Sequence, residues 1–108
     1  MKQLIKLVIA LSVLMSVSAL AGGNIEAGKE KATACAACHG VDGVSASPMF
    51  PTIAGQHADY LIQTLNDYKN KKRNNPIMQG TAATLSDEDI EDLAAYFASQ
   101  EGLKTLKK

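Results

Sequence analysis

The chain has 108 residues, which is enough for one small domain with a modest core. Its 11 basic residues are balanced by 11 acidic ones, and this balance argues against nucleic-acid binding, which needs a basic surplus. Because the sequence has no Trp and only five aromatic residues, we expect a disulfide, a metal or a cofactor to support the core.

Residues 1–21 have the three parts of a secretory signal peptide. Lys2 and Lys6 give a basic start, an apolar run follows over residues 7–17, and Ala19-Leu20-Ala21 is a small-x-small cleavage site. The run is too short for an uncleaved membrane anchor, which needs about 20 apolar residues. Cleavage before residue 22 leaves a single domain, residues 22–108, with nine basic and 11 acidic side chains and a formal charge of −2. We therefore expect a soluble, exported, periplasmic protein with no transmembrane segment in its mature chain.

A helix is predicted from Ile25 to Cys38, with Asn24 as its N-cap, because most of these residues are good helix formers. Gly28 is the exception, since a mid-helix Gly costs about 1 kcal/mol relative to Ala. Gly28 and Ala32 are both small and lie one turn apart, so they form a notch that a bulky side chain of another helix could fill. The alternative is a tolerated Gly near a frayed helix start.

The sequence Cys35-Ala36-Ala37-Cys38-His39 is the most specific motif of the chain. Cys-x-x-Cys-His is the spacing of a c-type haem attachment site, and on a helix the two thiols and the imidazole lie on one face. The thiols would form thioethers to the porphyrin edge, and the imidazole would bind the iron. The alternatives are a redox-active dithiol, a local disulfide or part of a metal site. Haem is favoured, because no βαβ pattern surrounds the cysteines and no second Cys or His pair lies at ligand spacing.

Residues 40–55 are rich in Gly, Ser and Pro and are predicted to form a long loop. A loop of this length is unusual in a small domain unless it wraps something, and here it would wrap the haem, with Phe50 and Ile53 as apolar contacts. Pro51 could offer its carbonyl to the outer nitrogen of His39, which would fix the orientation of the ring and raise its basicity.

A second helix is predicted from residue 57 or 58 to about residue 70, because Leu61, Leu65 and Tyr68 form one apolar stripe. Four basic residues follow at its end: Lys69, Lys71, Lys72 and Arg73. This basic cluster is either a solvated helix end, where the helix dipole favours cations, or a docking patch for an acidic partner.

A second irregular segment is predicted over residues 74–85, because the sequence Asn-Asn-Pro at its start should break the helix. Met78 lies within it, where a loop crossing the open face of the haem could present the thioether to the iron. The alternative is a Met that fills a gap in the core. Two further residues compete as ligands: Met49, whose loop would have to pass around the haem edge, and His57, which is most simply a solvent-facing His at a helix start.

The last helix is predicted to begin at Ser86 as its N-cap, with Asp89 placed to complete a capping box, and to end at Gly102 before a basic tail. Its apolar stripe consists of Ile90, Leu93, Ala94 and Phe97, with Tyr96 beside it. One bulky side chain of this helix is expected to fill the notch at residues 28 and 32. The candidates are Leu93, Tyr96 and Phe97.

Together these features resemble the class I c-type cytochromes, and more narrowly the small bacterial periplasmic group that includes cytochrome c553 and the haem domains of cytochrome c4. The resemblance covers residues 28–100. It rests on the following motifs: Cys35-Ala36-Ala37-Cys38-His39-Gly40, Pro51-Thr52-Ile53-Ala54-Gly55-Gln56, Asn75-Pro76-Ile77-Met78, Leu85-Ser86-Asp87 and Ala94-Ala95-Tyr96-Phe97. It implies an all-α cytochrome c fold, with three main helices and two long loops wrapped around one covalently attached haem c.

The resemblance also implies a role for each site residue. Cys35 and Cys38 would be the thioether anchors, His39 the proximal ligand and Met78 the distal ligand. The carbonyl of Pro51 would be the partner of His39, and residues 28 and 96 would form part of the crossing between the terminal helices. Cytochrome c4 has two haem domains, whereas this chain has one Cys-x-x-Cys-His motif, so one haem is expected.

With His39 and Met78 on the iron, no axial position is left for a substrate, so we expect an outer-sphere electron carrier and not an enzyme. Its partners would be periplasmic or membrane-bound redox proteins, with no nucleic acid and no small-molecule substrate. Two alternatives stay open: an electron-entry subunit of a larger periplasmic oxidoreductase, or a gas-binding sensor or enzyme if Met78 is not a stable ligand. A thiol oxidoreductase, which would be colourless, is a further alternative.

Overall fold

The computed structural model describes residues 22–106, which form helices and loops and contain no β-strand. Five α-helices lie in this range: α1, Ile25–Lys31; α2, Ala36–His39; α3, Ala58–Lys69; α4, Pro76–Ala83; and α5, Asp87–Ser99. A 3₁₀ turn at Ala32–Ala34 joins α1 to α2. The predicted all-α fold is therefore confirmed. The predicted signal peptide, residues 1–21, lies outside the described residues, and no helix within residues 22–106 is long and apolar enough to cross a membrane.

The first predicted helix is divided in two, which corrects the prediction of one helix from Ile25 to Cys38. The Thr33 hydroxyl donates to the Glu30 carbonyl at 2.9 Å, and the Cys35 N–H binds the Ala32 carbonyl at 2.9 Å. Both contacts span three residues, so the chain tightens into a 3₁₀ turn at this point. As a result Cys35 is the N-cap of a separate short helix, α2, and this helix carries Cys38 and His39.

The prediction of an irregular segment over residues 74–85 is wrong, because most of that segment forms α4. Asn75 caps the helix, since its Oδ1 accepts the N–H groups of Ile77 and Met78 at 3.1 Å each. Pro76 occupies the first helical position, where its fixed φ suits the helix and its missing N–H has no intrahelical partner to lose. The residue that was expected to break structure therefore begins a helix, and Met78 lies on that helix.

The last helix begins as predicted, because the Ser86 side chain accepts the Asp89 N–H and the Asp89 carboxylate accepts the Ser86 N–H. It ends at Ser99, three residues before the predicted end at Gly102. The Ser99 hydroxyl donates to the Tyr96 carbonyl at 2.6 Å, and so takes the acceptor that the next helical N–H would have used.

Helix α1 crosses α5 at Gly28, which is buried. A Cβ at this position would lie 2.0 Å from the Asp92 carbonyl oxygen and 2.7 Å from the Tyr96 Cβ. Only a residue without a side chain allows this approach, so the predicted close crossing of another helix at Gly28 is confirmed. Tyr96 is the predicted bulky residue that meets Gly28, and the main chain of Asp92 was not foreseen there.

The core lies between α1, α3 and α5. Helix α3 packs against α5 and is covered on another side by α4. The buried core cluster consists of Ala32, Leu61, Leu93, Ala94, Tyr96 and Phe97. Every residue of the stripe predicted for the last helix is buried, which confirms the face that α5 turns to the core.

Candidate functional site

Helix α2 and its N-cap, Cys35, hold the three side chains of the motif close together. The His39 N–H binds the Cys35 carbonyl at 2.9 Å, and the Cys38 N–H binds the same carbonyl at 3.3 Å. Both cysteines are free thiols and half-buried. Burial raises the pKa of the Cys35 thiol, and the neighbouring Cys38 adds to the effect. A redox-active dithiol needs a lowered thiol pKa, so the environment of Cys35 does not favour the thiol oxidoreductase alternative.

The His39 side chain is buried, with 9 % of the residue exposed, and its Nδ1 lies 2.8 Å from the Pro51 carbonyl oxygen. A carbonyl only accepts hydrogen bonds, so Nδ1 must carry the proton in this contact. In the neutral ring this places the lone pair on the other nitrogen, Nε2, which is the form in which imidazole binds metals. The contact that the sequence suggested between His39 and Pro51 is therefore present, and it leaves a metal-binding nitrogen on the ring.

The loop that carries Pro51 is folded around Gly43. The Gly43 carbonyl accepts the N–H groups of Ile53 at 2.8 Å and Ala54 at 3.1 Å. Gly43 has a φ of +88°, and a Cβ there would lie 2.8 Å from the Phe97 ring, so both its conformation and its surroundings require glycine. Residues 40–55 contain no helix, as predicted.

The far end of the loop is held by α5 and by the segment that follows it. The Gly55 N–H donates to the Phe97 carbonyl at 2.9 Å, and the Leu103 N–H donates to the Ala54 carbonyl at 2.7 Å. The Thr105 hydroxyl reaches the Gly55 carbonyl at 3.3 Å. The loop beside His39 is thus fastened at both ends.

Two acidic residues of α5 bind α1 just before the motif. The Lys31 ammonium lies 2.6 Å from the carboxylate of Asp92 and 3.0 Å from that of Asp89. The carboxylate of Asp92, which is 4 % exposed, also accepts the Asn24 N–H at 2.7 Å. That backbone bond and the Lys31 contact hold the pKa of Asp92 below its usual range. Bonds from Ser86, together with Lys31, lower the pKa of Asp89 to about 2.

Met78 belongs to a different helix from His39. It is half-buried on α4, and the helix that α4 packs against is α3. Of its rivals, Met49 is 82 % exposed and lies in the loop, which does not suit a buried thioether ligand. His57 has an extended backbone and N-caps α3. The structure therefore joins four of the predicted site residues into one cluster and leaves the fifth, Met78, on a separate helix.

The basic cluster lies at the C-terminal end of α3. Lys69 donates to the Leu85 carbonyl, and Arg73 lies 5.2 Å from the centroid of the Tyr68 ring, a cation–π distance. Lys71 and Lys72 are exposed. No acidic residue occurs between residues 68 and 86, so this segment of the chain carries a net positive charge.

The cytochrome c family model matches residues 25–101 of the chain. The chain belongs to the cytochrome c family. Proteins of this family carry a covalently bound haem c, and the spacing of Cys35 and Cys38 is that of its attachment motif. The resemblance to the class I c-type cytochromes is therefore confirmed.

Three relatives show which members of the family the chain is similar to. Cytochrome c4 of Pseudomonas aeruginosa is 45 % identical over 97 residues, which cover 88 % of this chain and 48 % of that protein. Cytochrome c-554(548) of Halomonas halodenitrificans is 44 % identical over 82 residues, which cover 73 % of this chain and 99 % of that one. A cytochrome subunit of sulfide dehydrogenase from Chlorobaculum tepidum is 38 % identical over 65 residues, which cover 60 % of this chain and 58 % of that subunit.

Among solved structures, reduced recombinant cytochrome c4 from Pseudomonas stutzeri superposes with a TM-score of 0.71 at 46 % identity. The match covers 75 % of this chain and 47 % of that one. The chain thus spans about half the length of the cytochrome c4 relatives that it matches.

The residues present fit a haem c. Cys35 at the N-cap of α2 and Cys38 within α2 lie close along the chain to His39, whose Nδ1 is engaged by the Pro51 carbonyl and whose Nε2 would be the nitrogen that binds the iron. Across residues 22–106, no group of three or more His, Cys, Asp and Glu side chains is placed to hold a metal ion on its own. Sequence reasoning did not predict the bond from the Ser45 N–H to the Thr52 Oγ1 in the loop beside His39, because it joins residues seven apart in an irregular segment.

Proposed function

We propose that the chain is a periplasmic electron carrier that works by outer-sphere transfer through one haem c, whose iron His39 and Met78 would bind. The observation that carries the proposal is the contact between His39 Nδ1 and the Pro51 carbonyl at 2.8 Å. This bond fixes the tautomer and leaves Nε2 as the donor to iron. Haem, when bound, supplies an iron that alternates between the ferrous and ferric states.

The chain's own residues have distinct tasks in this proposal. Cys35 and Cys38 hold the porphyrin covalently, so the haem cannot dissociate between electron transfers. Pro51 orients the imidazole of His39 and raises its basicity, because its carbonyl accepts the outer ring proton. The half-buried Met78 supplies the thioether, and the Asn75 cap at the start of α4 fixes the turn that carries it. With His39 and Met78 both bound to the iron, no position would be left there for a substrate.

The proposed location and partners follow from the sequence and the surface. Residues 1–21 have the pattern of an export signal, and thioether-bound haem suits a periplasm. The basic cluster offers exposed positive charge at Lys71 and Lys72, which favours redox partners, soluble or membrane-bound, with an acidic docking face. Complexes of this kind form quickly and weaken with salt.

A second candidate is a haem subunit of a larger oxidoreductase. It is favoured by the similarity to the cytochrome subunit of sulfide dehydrogenase from Chlorobaculum tepidum. Purification of the untagged chain from its native membrane-free extract separates the two possibilities. A free carrier elutes at the mass of the isolated chain, whereas a subunit elutes together with a catalytic polypeptide.

The visible absorption spectrum of the reduced protein, recorded with and without carbon monoxide, tests the proposal. A haem spectrum that carbon monoxide leaves unchanged supports two protein ligands and the carrier function. The variant Met78→Ala should bind carbon monoxide, and the matched control Met49→Ala should remain inert, because Met49 is exposed. If the wild-type protein binds carbon monoxide, the sensor or enzyme alternative replaces the proposal. If the protein is colourless, all haem-based functions are refuted.

A further inference from the structure

Three hydrogen bonds form a closed ring around the His39 side chain. His39 Nδ1 binds the Pro51 carbonyl at 2.8 Å, and the Oγ1 of Thr52, the next residue, accepts the Ser45 N–H at 3.1 Å. The Ser45 hydroxyl lies 3.3 Å from the carbonyl of Cys38, which is joined directly to His39. These three hydrogen bonds, together with the covalent links within residues 51–52 and 38–39, form a closed cycle. The cycle connects the imidazole of His39 to the main chain of the same residue through Pro51, Thr52 and Ser45.

The ring restricts the distance between the imidazole and its acceptor. The Ser45 hydroxyl shares its hydrogen between the Cys38 carbonyl and the Ser47 carbonyl, the latter at 2.9 Å, so it is itself held in place. Thr52 is β-branched and stiff about χ1, which limits the positions that its Oγ1 can take. All of these bonds are partly buried, where a hydrogen bond is stronger than at the surface.

We propose that Thr52 and Ser45 are positioning residues that set the reduction potential of the iron through the His39–Pro51 bond. The inference rests on the proposed function, in which His39 is an axial ligand. A short bond from Nδ1 to a carbonyl makes the imidazole more basic, and a more basic ligand favours ferric over ferrous iron. Loosening the ring therefore weakens this preference and raises the potential.

The decisive variant is Thr52→Val, which keeps the shape of the side chain and removes the acceptor of the Ser45 N–H. Thr52→Ser keeps the hydroxyl and should restore the wild-type potential. Thr105→Val is the matched control, because the Thr105 hydroxyl bonds to the Gly55 carbonyl of the same loop but lies outside the ring. Ser45→Ala opens the ring on the Cys38 side alone, and it serves if Thr52→Val does not fold.

The midpoint potential of the haem-loaded protein, measured by spectroelectrochemical titration, gives the main readout. Mutating the hydrogen-bond partner of a metal ligand typically changes metal affinity or activity by about 10–100-fold. Thr52 lies one bond further from the ligand, so we expect an effect at the lower end of this range. We expect Thr52→Val to raise the ratio of ferrous to ferric iron at fixed potential by up to about tenfold, which is about 59 mV for a one-electron couple. Ser45→Ala should shift the potential in the same direction.

A second readout is hydrogen exchange of the His39 Nδ1 proton in the reduced protein, followed by NMR. Exchange should be faster in Thr52→Val and unchanged in Thr105→Val. The inference is refuted if Thr52→Val keeps the wild-type potential, or if Thr105→Val shifts it equally, which would indicate general loosening of the loop. Failure of the proposed function looks different, because the wild-type protein itself would then bind carbon monoxide or lack haem.

Discussion

Replacing Gly28 with Ala tests whether the crossing of α1 and α5 depends on direct contact between their backbones. The added Cβ would lie 2.0 Å from the carbonyl oxygen of Asp92, whereas ordinary contacts of a Cβ begin at 3.4 Å. The obstacle is the main chain of α5, which cannot rotate away as a flexible side chain would. The two helices must therefore separate by about the 1.4 Å difference between these distances.

Two effects of the substitution oppose each other. Ala is favoured over Gly in a helix interior by about 1 kcal/mol. Overpacking of a close contact costs about 1–3 kcal/mol, and separation of the helices would also stretch the bonds from Asn24 and Lys31 to Asp92. Because the obstacle is main chain, we take the overpacking cost at the upper end of its range, about 3 kcal/mol. After the gain in helix propensity, we expect the free energy of unfolding to fall by about 2 kcal/mol. For a domain of this size the corresponding fall in Tm is about 8–16 °C.

Denaturant unfolding of the haem-loaded protein, followed by far-ultraviolet circular dichroism, measures this loss. The matched control is Gly80→Ala in α4, where a Cβ would meet no atom within 4 Å. The control should stabilise the protein by about 0.5–1 kcal/mol, because only helix propensity changes. If Gly28→Ala is as stable as the wild type, or gains stability as the control does, the backbone contact does not determine how closely the two helices pack.

Three further predictions concern charge and capping. The folded-state pKa values of Asp92 and Asp89 are depressed, so their stabilisation is present above the unfolded value of about 3.9 and is lost as the pH falls toward 2. Unfolding free energies measured from pH 5 to pH 2 should fall in this window, and Asp92→Asn should reduce the fall; an unchanged slope contradicts the role of this carboxylate. The double substitution Lys71→Gln and Lys72→Gln should slow electron transfer to ferricyanide, an anionic probe, in stopped-flow measurements at low salt, with no difference remaining at high salt. Asn75→Ala should destabilise the start of α4 by about 1 kcal/mol and allow the reduced protein to bind carbon monoxide slowly; complete inertness would show that the cap does not hold the sixth ligand.

The parts of the fold that the sequence predicted correctly depend on local signals that agree with one another. The last helix has a capping box at Ser86 and Asp89 and an apolar stripe one helical face wide, and both signals act within a few residues. Gly28 was informative because a glycine in a helix interior is unfavourable unless another chain segment approaches it. The Cys-x-x-Cys-His spacing was specific enough to indicate its chemistry without any tertiary information.

The parts that the sequence missed depend on choices between local structures of similar energy. Pro76 suits both the end of one segment and the first position of a helix, and the Asn75 cap decides between them. Thr33 divides the first helix by a hydrogen bond that any helical Thr could make or leave unmade. The burial of Asp92 among several acidic neighbours, and the pairing of Ser45 with Thr52, arise only when distant segments meet.

Helix α5 supports the histidine from both directions along the chain. Upstream of the motif, Asp92 binds α1, and downstream the Tyr96 hydroxyl donates to the Val41 carbonyl at 3.0 Å. The Phe97 carbonyl accepts the Gly55 N–H, and so holds the end of the loop that carries the histidine's acceptor. In contrast, α4 packs against α3 and carries the proposed sixth ligand. Substitutions that shift α5 should therefore change stability and reduction potential together, whereas substitutions at the start of α4 should change ligand exchange at the iron with a smaller loss of stability.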